Sequence, residues 1–357
     1  MQAQKSMAWR VWGWLDERYK LAELTQALLH VEIPRTVRTY YLGGITLFFF
    51  MVQVITGILL TLYYQPTPDT AYDSILFIMN EVNFGWLIRS VHAWGANLMI
   101  LFCVLHLLRV FFQGVYKAPR EVTWGVGIFL LAVTLGFGFT GYLLPWDQRA
   151  FWATVVGSEI AGAVPLIGEY ALTFLRGGSD ITARTLSRFY GMHVLVLPVG
   201  LVGFLVIHLT LVHQQGLADP TGEIKLEALP SEEKKKKLLP FFPHYILDEF
   251  IAWYVMLAIL VVLASLFPAG LEEPANPLHT PEHTKPEWYF LFLYQWLKLV
   301  PRLVGVTAPL IAGVLLFLLP LLDRNPHLPA YRRPVAVTIG ALTVIAIIAL
   351  TIWGWLS

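Results

Sequence analysis

The chain has 357 residues, of which 57% are hydrophobic and only 14% are charged, and its formal net charge is +1. About a quarter of the residues of a soluble domain are charged, so the composition excludes a soluble domain and predicts a polytopic membrane protein in contact with lipid. The balanced charge gives no reason to expect a nucleic-acid partner. A single cysteine, Cys103, excludes a disulfide framework, a zinc site and covalent haem of the C-x-x-C-H type in this chain.

Seven stretches are long and apolar enough to cross a membrane as helices. Backbone within a membrane must be hydrogen-bonded internally, and these lengths suit helices rather than barrel strands, so the predicted fold class is all-α. Glutamates, glycines and a proline at 151–175 indicate short surface helices, and the apolar segment 287–300 is too short to span alone. The predicted spans are 40–63, 87–112, 122–143, 189–212, 246–267, 303–322 and 335–355.

The charges of the loops predict the orientation. Lysines and arginines concentrate in the loops at 113–121, 213–245 and 323–334, which share one side with the N-terminus, whereas the opposite loops are mixed or acidic. The positive-inside rule places the basic loops in the cytoplasm. We therefore predict a protein of the inner (cytoplasmic) membrane with a cytoplasmic N-terminus.

The stretch 218–240 is the only linker-like part of the sequence, and it contains a run of four lysines. It divides the chain into a four-span domain, 1–217, and a three-span domain, 241–357. The lysine run is most simply a solvated cytoplasmic anchor rather than a binding site.

Two of the predicted spans carry a pair of histidines each. His92 and His106 are fourteen residues apart in the second span, and His193 and His208 are fifteen apart in the fourth. On a helix each pair is separated by about 21–22 Å and returns to nearly the same face. The two spans run in the same direction, so His92 can face His193 near one surface and His106 can face His208 near the other. Two facing pairs are what two stacked six-coordinate haems need, which predicts a four-helix di-haem bundle plus three further transmembrane helices.

Alternative roles for the histidines are less consistent with this spacing. Hydrogen bonds to neighbouring helices would require four coincidences of depth and phase, and a proton relay would need acids between the rings. Glycines that repeat every fourteen residues in the first and third spans could let the backbone approach the haem faces, although small residues are common at any helix contact. These are Gly43, Gly57, Gly127 and Gly141. Arginines at span ends could pair with haem propionates or simply snorkel, namely Arg89, Arg109 and Arg188.

Five segments resemble one family: YYLGGITLFFFMVQVITG, EVNFGWLIRSVH, GYLLPWDQ, LSRFYGMH and PEWYF. Over nearly its whole length the sequence resembles cytochrome b of the respiratory and photosynthetic cytochrome bc complexes, the quinol:cytochrome c or plastocyanin oxidoreductases. The resemblance implies two non-covalent b haems, one held by His92 and His193 on the outer side and one by His106 and His208 on the cytoplasmic side. It also implies a Rieske-type iron–sulfur protein and a cytochrome c-type subunit as partners, in a homodimeric complex.

The resemblance also implies an outer quinol-oxidation pocket. The segment PEWY falls in the loop before the sixth span, and Glu287 in it would accept a proton from quinol. A carboxylate at the edge of an apolar pocket has its pKa raised towards the working pH, which suits that role, whereas the bland alternative is a solvated loop carboxylate. The other residues assigned to this site are Tyr289, Pro286, Trp288, Tyr142, Pro145 and Trp146.

The inner quinone site departs from one branch of the family. The seven-span layout and the fifteen-residue histidine spacing resemble the chloroplast-type branch, but Tyr41 stands where that branch attaches a third haem to a cysteine. HLTLVHQQG and FFPHYILDEF instead resemble the mitochondrial-type quinone-reduction site, which implies that His213 and either Asp248 or Glu249 deliver protons there. Alternatively, His213 is an interfacial residue and the acids cap the fifth span.

The predicted function is therefore a quinol-oxidising cytochrome b subunit that sends one electron to an external acceptor and the other through both haems to quinone, with proton translocation. One alternative is a di-haem anchor that ferries electrons between quinone and a peripheral dehydrogenase, which would not need PEWY. A transporter with structural histidines is another, and it would bind no haem.

Overall fold

The computed structural model describes residues 7–29, 31–35, 41–217, 237–282, 284–326 and 329–357. Nearly all regular structure in these residues is helical, which confirms the predicted all-α class. Most of the predicted linker, 218–236, lies outside the described residues. Within them, the strands β1 (Glu32–Pro34) and β2 (Leu238–Pro240) pair antiparallel, which brings the end of the predicted linker beside the segment before the first span.

Six of the helical stretches are long and apolar enough to cross a membrane, judged by length and composition. They overlap six of the seven predicted spans. The six stretches are Leu42–Thr61, Gly85–Gln113, Glu121–Tyr142, Ala183–Gln215, Phe241–Leu266 and Pro334–Leu356. In chain order the helices are α1 (Met7–Tyr19), α2 (Leu21–Leu29), α3 (Leu42–Thr61), α4 (Ala71–Asn80), α5 (Gly85–Gln113), α6 (Glu121–Tyr142), α7 (Gln148–Gly162), α8 (Gly168–Arg176), α9 (Ala183–Gly191), α10 (Leu197–Gln215), α11 (Ile246–Leu266), α12 (Trp288–Leu299), α13 (Arg302–Phe317), α14 (Leu319–Leu322) and α15 (Pro334–Leu356).

The remaining predicted span, 303–322, is divided into two helices. The apolar helix α13 has 16 residues and ends at Phe317, and the four-residue helix α14 follows after Leu318. Pro320 has no amide hydrogen, and its ring would crowd the carbonyl four residues earlier, which favours a break here, although α13 accommodates Pro309 in its interior. This stretch is therefore shorter than the other six as a single helix.

Four spans form a bundle around an apolar middle layer. Helix α3 packs on α5, α6 packs on α10, and α5 also contacts α6. The middle layer lies between the two histidine positions of α5, and α11 adds one side chain to it from outside the bundle. Its buried residues are Ile45, Phe49, Met99, Leu201 and Leu260. Burial of these side chains holds the bundle together and separates two polar levels inside it.

The fourth span is not a continuous α-helix. A π turn at Met192–Val196 joins α9 to α10, and His193 lies within it. A π turn closes i→i+5 hydrogen bonds and therefore holds about one residue more than an α turn. This extra residue lies between His193 and His208, so their fifteen-residue spacing corresponds to the fourteen-residue spacing in α5.

The segment 151–175 folds as predicted into the short helices α7 and α8. Helix α7 begins at Gln148 because the Asp147 carboxylate accepts a hydrogen bond from the Ala150 amide at 2.9 Å, which is an N-cap. Residues of α4, α7, α9 and the connections between spans share a buried cluster beyond the bundle: Tyr64, Ala71, Ile75, Ile78, Trp146, Phe151 and Leu186.

A buried ionic cluster joins the two predicted domains on the opposite side. Asp323, which follows α14, pairs with Lys117 at 2.8 Å and with the fully buried Arg333 at 3.6 Å, and the Tyr116 hydroxyl donates to it at 2.5 Å. Burial opposes ionisation of Asp323, but hydrogen bonds from Lys117 and Tyr116 hold its pKa below the usual carboxyl value. The loop after α5 is therefore fixed to the loop before α15.

Candidate functional site

Two histidines from different helices face one another at what we call the outer level: His92 in α5 and His193 in the π turn. Their ring centroids lie 6.3 Å apart, and their planes are inclined by 73°. A metal bonded to one nitrogen of each ring at about 2 Å would separate the centroids by about 6 Å, so the rings are spaced as axial ligands of one iron. Within the described residues, no group of three or more His, Cys, Asp or Glu could hold a metal by itself. The donor set therefore fits a cofactor that brings its own equatorial ligands, as a haem does.

Threonine hydroxyls fix the protonation of both outer rings. Oγ1 of Thr56 lies 2.8 Å from Nδ1 of His92, and Oγ1 of Thr140 lies 2.9 Å from Nδ1 of His193. Each hydroxyl also donates its one hydrogen to the carbonyl four residues earlier in its own helix, at 2.7 and 2.8 Å. The Nδ1 atoms must therefore supply the hydrogen in the contacts to threonine, which leaves Nε2 of each ring with a free lone pair for a metal.

The second histidine pair, His106 in α5 and His208 in α10, defines the inner level. Both Nδ1 atoms are buried, and within the described residues neither has a hydrogen bond of normal geometry. The His208 ring lies towards the backbone carbonyl of Thr123. The inner rings therefore lack the hydroxyl partners that the outer rings have.

Each of the four repeated glycines lies against one of the four histidine rings. The predicted approach of these glycines to the faces of the haems stays a prediction. A side chain at Gly141 would push the His193 ring away, whereas one at Gly127 would make only ordinary contact with His208. The distance from an added Cβ to Cε1 of the facing ring is 2.6 Å for Gly141 and His193, 3.3 Å for Gly57 and His92, 3.3 Å for Gly43 and His106, and 3.5 Å for Gly127 and His208.

The three arginines predicted near the haems all make other contacts. Arg89 donates to the carbonyls of Ala269 and Gly270 at 2.5 and 2.7 Å, and Arg188 donates to the carbonyl of Phe174 at 2.5 Å. Arg109 donates to the side chain of Gln113 at 3.1 Å. Their pairing with propionates stays a prediction.

The PEWY segment lies against the outer level of the bundle. Nε1 of Trp288 donates to Oδ1 of Asn97 in α5 at 2.8 Å, and the Tyr289 hydroxyl donates to the carbonyl of Gly138 in α6 at 3.3 Å. Glu287 immediately precedes α12. The segment is thus fixed to two bundle helices, each of which carries part of the outer histidine site.

Glu287 lies in a partly buried electrostatic cluster. Burial raises the pKa of the Glu287 carboxyl above its usual value, and the Arg149 guanidinium opposes this shift. Nε of Arg149 also donates to Glu272 at 2.6 Å. The Tyr142 hydroxyl is buried near Glu287 and has no hydrogen-bond partner within the described residues. These groups surround Glu287 with one cation and one unsatisfied hydroxyl.

The other predicted wall residues differ in their surroundings. Trp146 is buried in the outer hydrophobic cluster and makes an edge contact with Phe151, with ring centroids 5.8 Å apart. Pro145 and Pro286 are half-buried. The predicted site did not include Asn97, Arg149, Thr56 or Thr140. Asn97, Thr56 and Thr140 are polar residues inside spans, which is itself a signal of function.

At the inner level, Glu249 is the acid that faces the bundle. A Cβ at Gly44 would overlap its carboxylate, and Gly44 adjoins Gly43, which lies against His106. Tyr245 hydrogen-bonds the Glu249 carboxyl, while Oε1 of Glu249 is buried with no partner within the described residues. His213 lies near the end of α10 and is exposed.

Comparisons with known proteins agree with this arrangement. The family model described as "Cytochrome b/b6/petB" matches residues 29–216, and the model described as "Cytochrome b(C-terminal)/b6/petD" matches residues 274–357. A "Cytochrome bc complex cytochrome b subunit" of Chlorobaculum thiosulfatiphilum is 40% identical over 93% of this chain and 78% of its own length. A "Cytochrome b6" of Heliobacterium mobile is 47% identical over 58% of this chain and 99% of its own length.

A solved structure shares the whole architecture. It is described as "Hyperthermophilic respiratory Complex III", and it matches with a TM-score of 0.86 and 34% identity over 96% of this chain and 90% of its own. The fold and the buried histidine pairs thus define a multi-pass membrane protein with sites suited to haem. The chain belongs to the cytochrome b/b6 family and is the cytochrome b subunit of a bc-type quinol oxidoreductase complex.

Proposed function

We propose that this subunit oxidises quinol at the outer level, passes electrons across the membrane through two b haems, and reduces quinone at the inner level. The attachment of PEWY to α5 and α6 carries this proposal, because it puts a candidate proton acceptor beside a candidate haem site. A di-haem anchor that only ferries electrons would not need such an acceptor.

His92 with His193 and His106 with His208 would hold the two haems as axial ligands. Bound haem would supply one-electron transfer, which lets the two electrons of quinol leave separately, one of them to an external Rieske-type protein. The chain's own contribution is to orient the histidine rings and to separate the two levels by the apolar middle layer. The four glycines make room for the rings.

Glu287 would take up a proton as quinol is oxidised. A carboxylate with a raised pKa both accepts a proton readily near neutral pH and releases it again, which a weaker base with an ordinary carboxyl pKa does less well. Arg149, which interacts with Glu287, and its ion-pair partner Glu272 are both partly exposed, and their polar groups would lead the proton outwards.

Glu249 would deliver a proton to quinone at the inner level. Its carboxyl is partly buried against α3 beside the glycine that contacts His106, so we assign this role to Glu249 rather than Asp248. His213, which is exposed, would supply the second proton from the cytoplasm. Proton release outside and uptake inside together make the turnover electrogenic.

The assembly that this function requires includes a Rieske-type iron–sulfur protein, a cytochrome c-type subunit, a second copy of the complex and membrane lipid. We place the complex in the inner membrane with the N-terminus in the cytoplasm. The four-span and three-span domains, 1–217 and 241–357, would work as one unit joined by the linker 218–240.

Quinol:cytochrome c reductase activity of the purified complex tests the proposal. Glu287→Gln keeps the shape of the pocket and removes the acceptor, so turnover should fall by about 100-fold or more while the haem content stays at two per chain. Glu282→Gln, an exposed carboxylate of the same loop, serves as the matched control and should retain full turnover. Full activity in Glu287→Gln would refute the role of Glu287. A wild-type complex that holds two haems but lacks this activity would support the electron-ferrying anchor, and a pyridine haemochrome assay without haem would support a transporter.

A further inference from the structure

The two histidine levels differ in the residue that precedes each repeated glycine. At the outer level these residues are Thr56 and Thr140, and both hydroxyls contact a histidine Nδ1. At the inner level the corresponding residues are Leu42 and Val126, which have no hydroxyl. The difference in hydrogen bonding between the two levels therefore follows from the presence of a hydroxyl at Thr56 and Thr140 and its absence at Leu42 and Val126.

The outer hydrogen bonds are protected from exchange with water. Thr56 and Thr140 are 8% and 5% exposed, and each hydroxyl hydrogen is already used within its own helix. A histidine that donates from Nδ1 to an oxygen becomes more basic at Nε2. A more basic axial ligand stabilises the more positively charged, oxidised state of an iron, and the effect is stronger in a medium of low dielectric constant.

We propose that Thr56 and Thr140 are positioning residues that orient the outer histidine rings and lower the reduction potential of the outer haem. The proposal rests on the proposed function, because it requires a haem at each level. The consequence is directional: an electron at the outer level is destabilised relative to the inner level, which drives transfer from the quinol side to the quinone side.

Redox titration of the purified complex, followed by the α-band absorbance of each haem, tests the proposal. Thr56→Val and Thr140→Val are nearly isosteric and remove only the hydroxyl. Each should shift the electron distribution towards the outer haem by about threefold, since only part of the free energy of one hydrogen bond depends on the oxidation state. Thr56→Ser and Thr140→Ser keep the hydroxyl and should leave the distribution unchanged.

Val126→Thr is the reciprocal experiment at the inner level. Its new hydroxyl would lie beside Nδ1 of His208 and should lower the reduction potential of the inner haem, so that the distribution again shifts towards the outer haem. This variant leaves the outer hydrogen bonds intact. It therefore still tests the inference if the valine variants lose the outer haem.

Two results would overturn the inference. One is a pair of valine variants that retain both haems with unchanged potentials, and the other is Val126→Thr with an unchanged inner potential. Either result with two haems per chain leaves the proposed function standing. A wild-type complex with fewer than two haems per chain would refute the proposed function together with the inference that rests on it.

Discussion

Gly141 is the position at which a single methyl group should do most damage to the outer haem site. In Gly141→Ala the new Cβ would lie 2.6 Å from Cε1 of His193 and 3.2 Å from both ring nitrogens. Carbon atoms in favourable contact are about 3.5–4.0 Å apart, so the ring or helix α6 must move by about 1 Å. Overpacking of this kind costs about 1–3 kcal/mol, which corresponds to a loss of about 5- to 150-fold in affinity for the outer haem.

Gly127→Ala is the matched control. Its Cβ would lie 3.5 Å from Cε1 of His208, which is ordinary van der Waals contact, so the inner haem should remain bound. Gly57→Ala and Gly43→Ala, each at 3.3 Å, should fall between these extremes. Pyridine haemochrome content and the reduced-minus-oxidised spectrum of the purified complex measure the loss at each level. Full occupancy and an unchanged spectrum in Gly141→Ala would refute the reasoning, as would an equal loss in Gly127→Ala.

Three further predictions concern the quinone sites. Arg149→Gln removes the cation that opposes the raised pKa of Glu287, so this pKa should rise further. Because Glu287 accepts a proton only when ionised, the acid limb of the pH–rate profile should move to higher pH, and most at low ionic strength. An acid limb that does not move would contradict the assignment. Asn97→Leu leaves Nε1 of Trp288 without its acceptor and should slow quinol oxidation by about tenfold with both haem spectra intact. In the double variant with Trp288→Phe, the loss of activation free energy should be less than the sum of the losses in the two single variants. Strict additivity of these losses would count against coupling between the two residues. Glu249→Gln should slow reoxidation of the inner haem by quinone, as measured by stopped-flow absorbance, and Asp248→Asn should not; the reverse result would move the role to Asp248.

The sequence predicts the histidine pairs and the spans well because both depend on local periodicity. Apolar length identifies helices that cross a membrane, and a spacing of fourteen residues puts two rings on one helix face. The glycine repeat in the first and third spans matches the histidine repeat in the second. The structure adds that each glycine contacts one ring.

The contacts that the sequence could not predict depend on packing between distant segments. Asn97 and Trp288 are 191 residues apart in sequence, and nothing in either local pattern specifies their hydrogen bond. The break between α13 and α14 was missed because hydropathy averages over Pro320. Thr56 and Thr140 did leave a signal, since a threonine precedes the glycine at both outer positions and at neither inner one.

The π turn around His193 also bears on how relatives should be compared. One residue can be added to or removed from that turn while both rings of the fourth span keep their depth and direction, because the turn and not the bundle takes up the difference. A spacing of fourteen or fifteen residues is therefore a property of one helical turn. Two chains that differ in this number can hold their histidines in the same places, so the number alone assigns a sequence to no branch of the family.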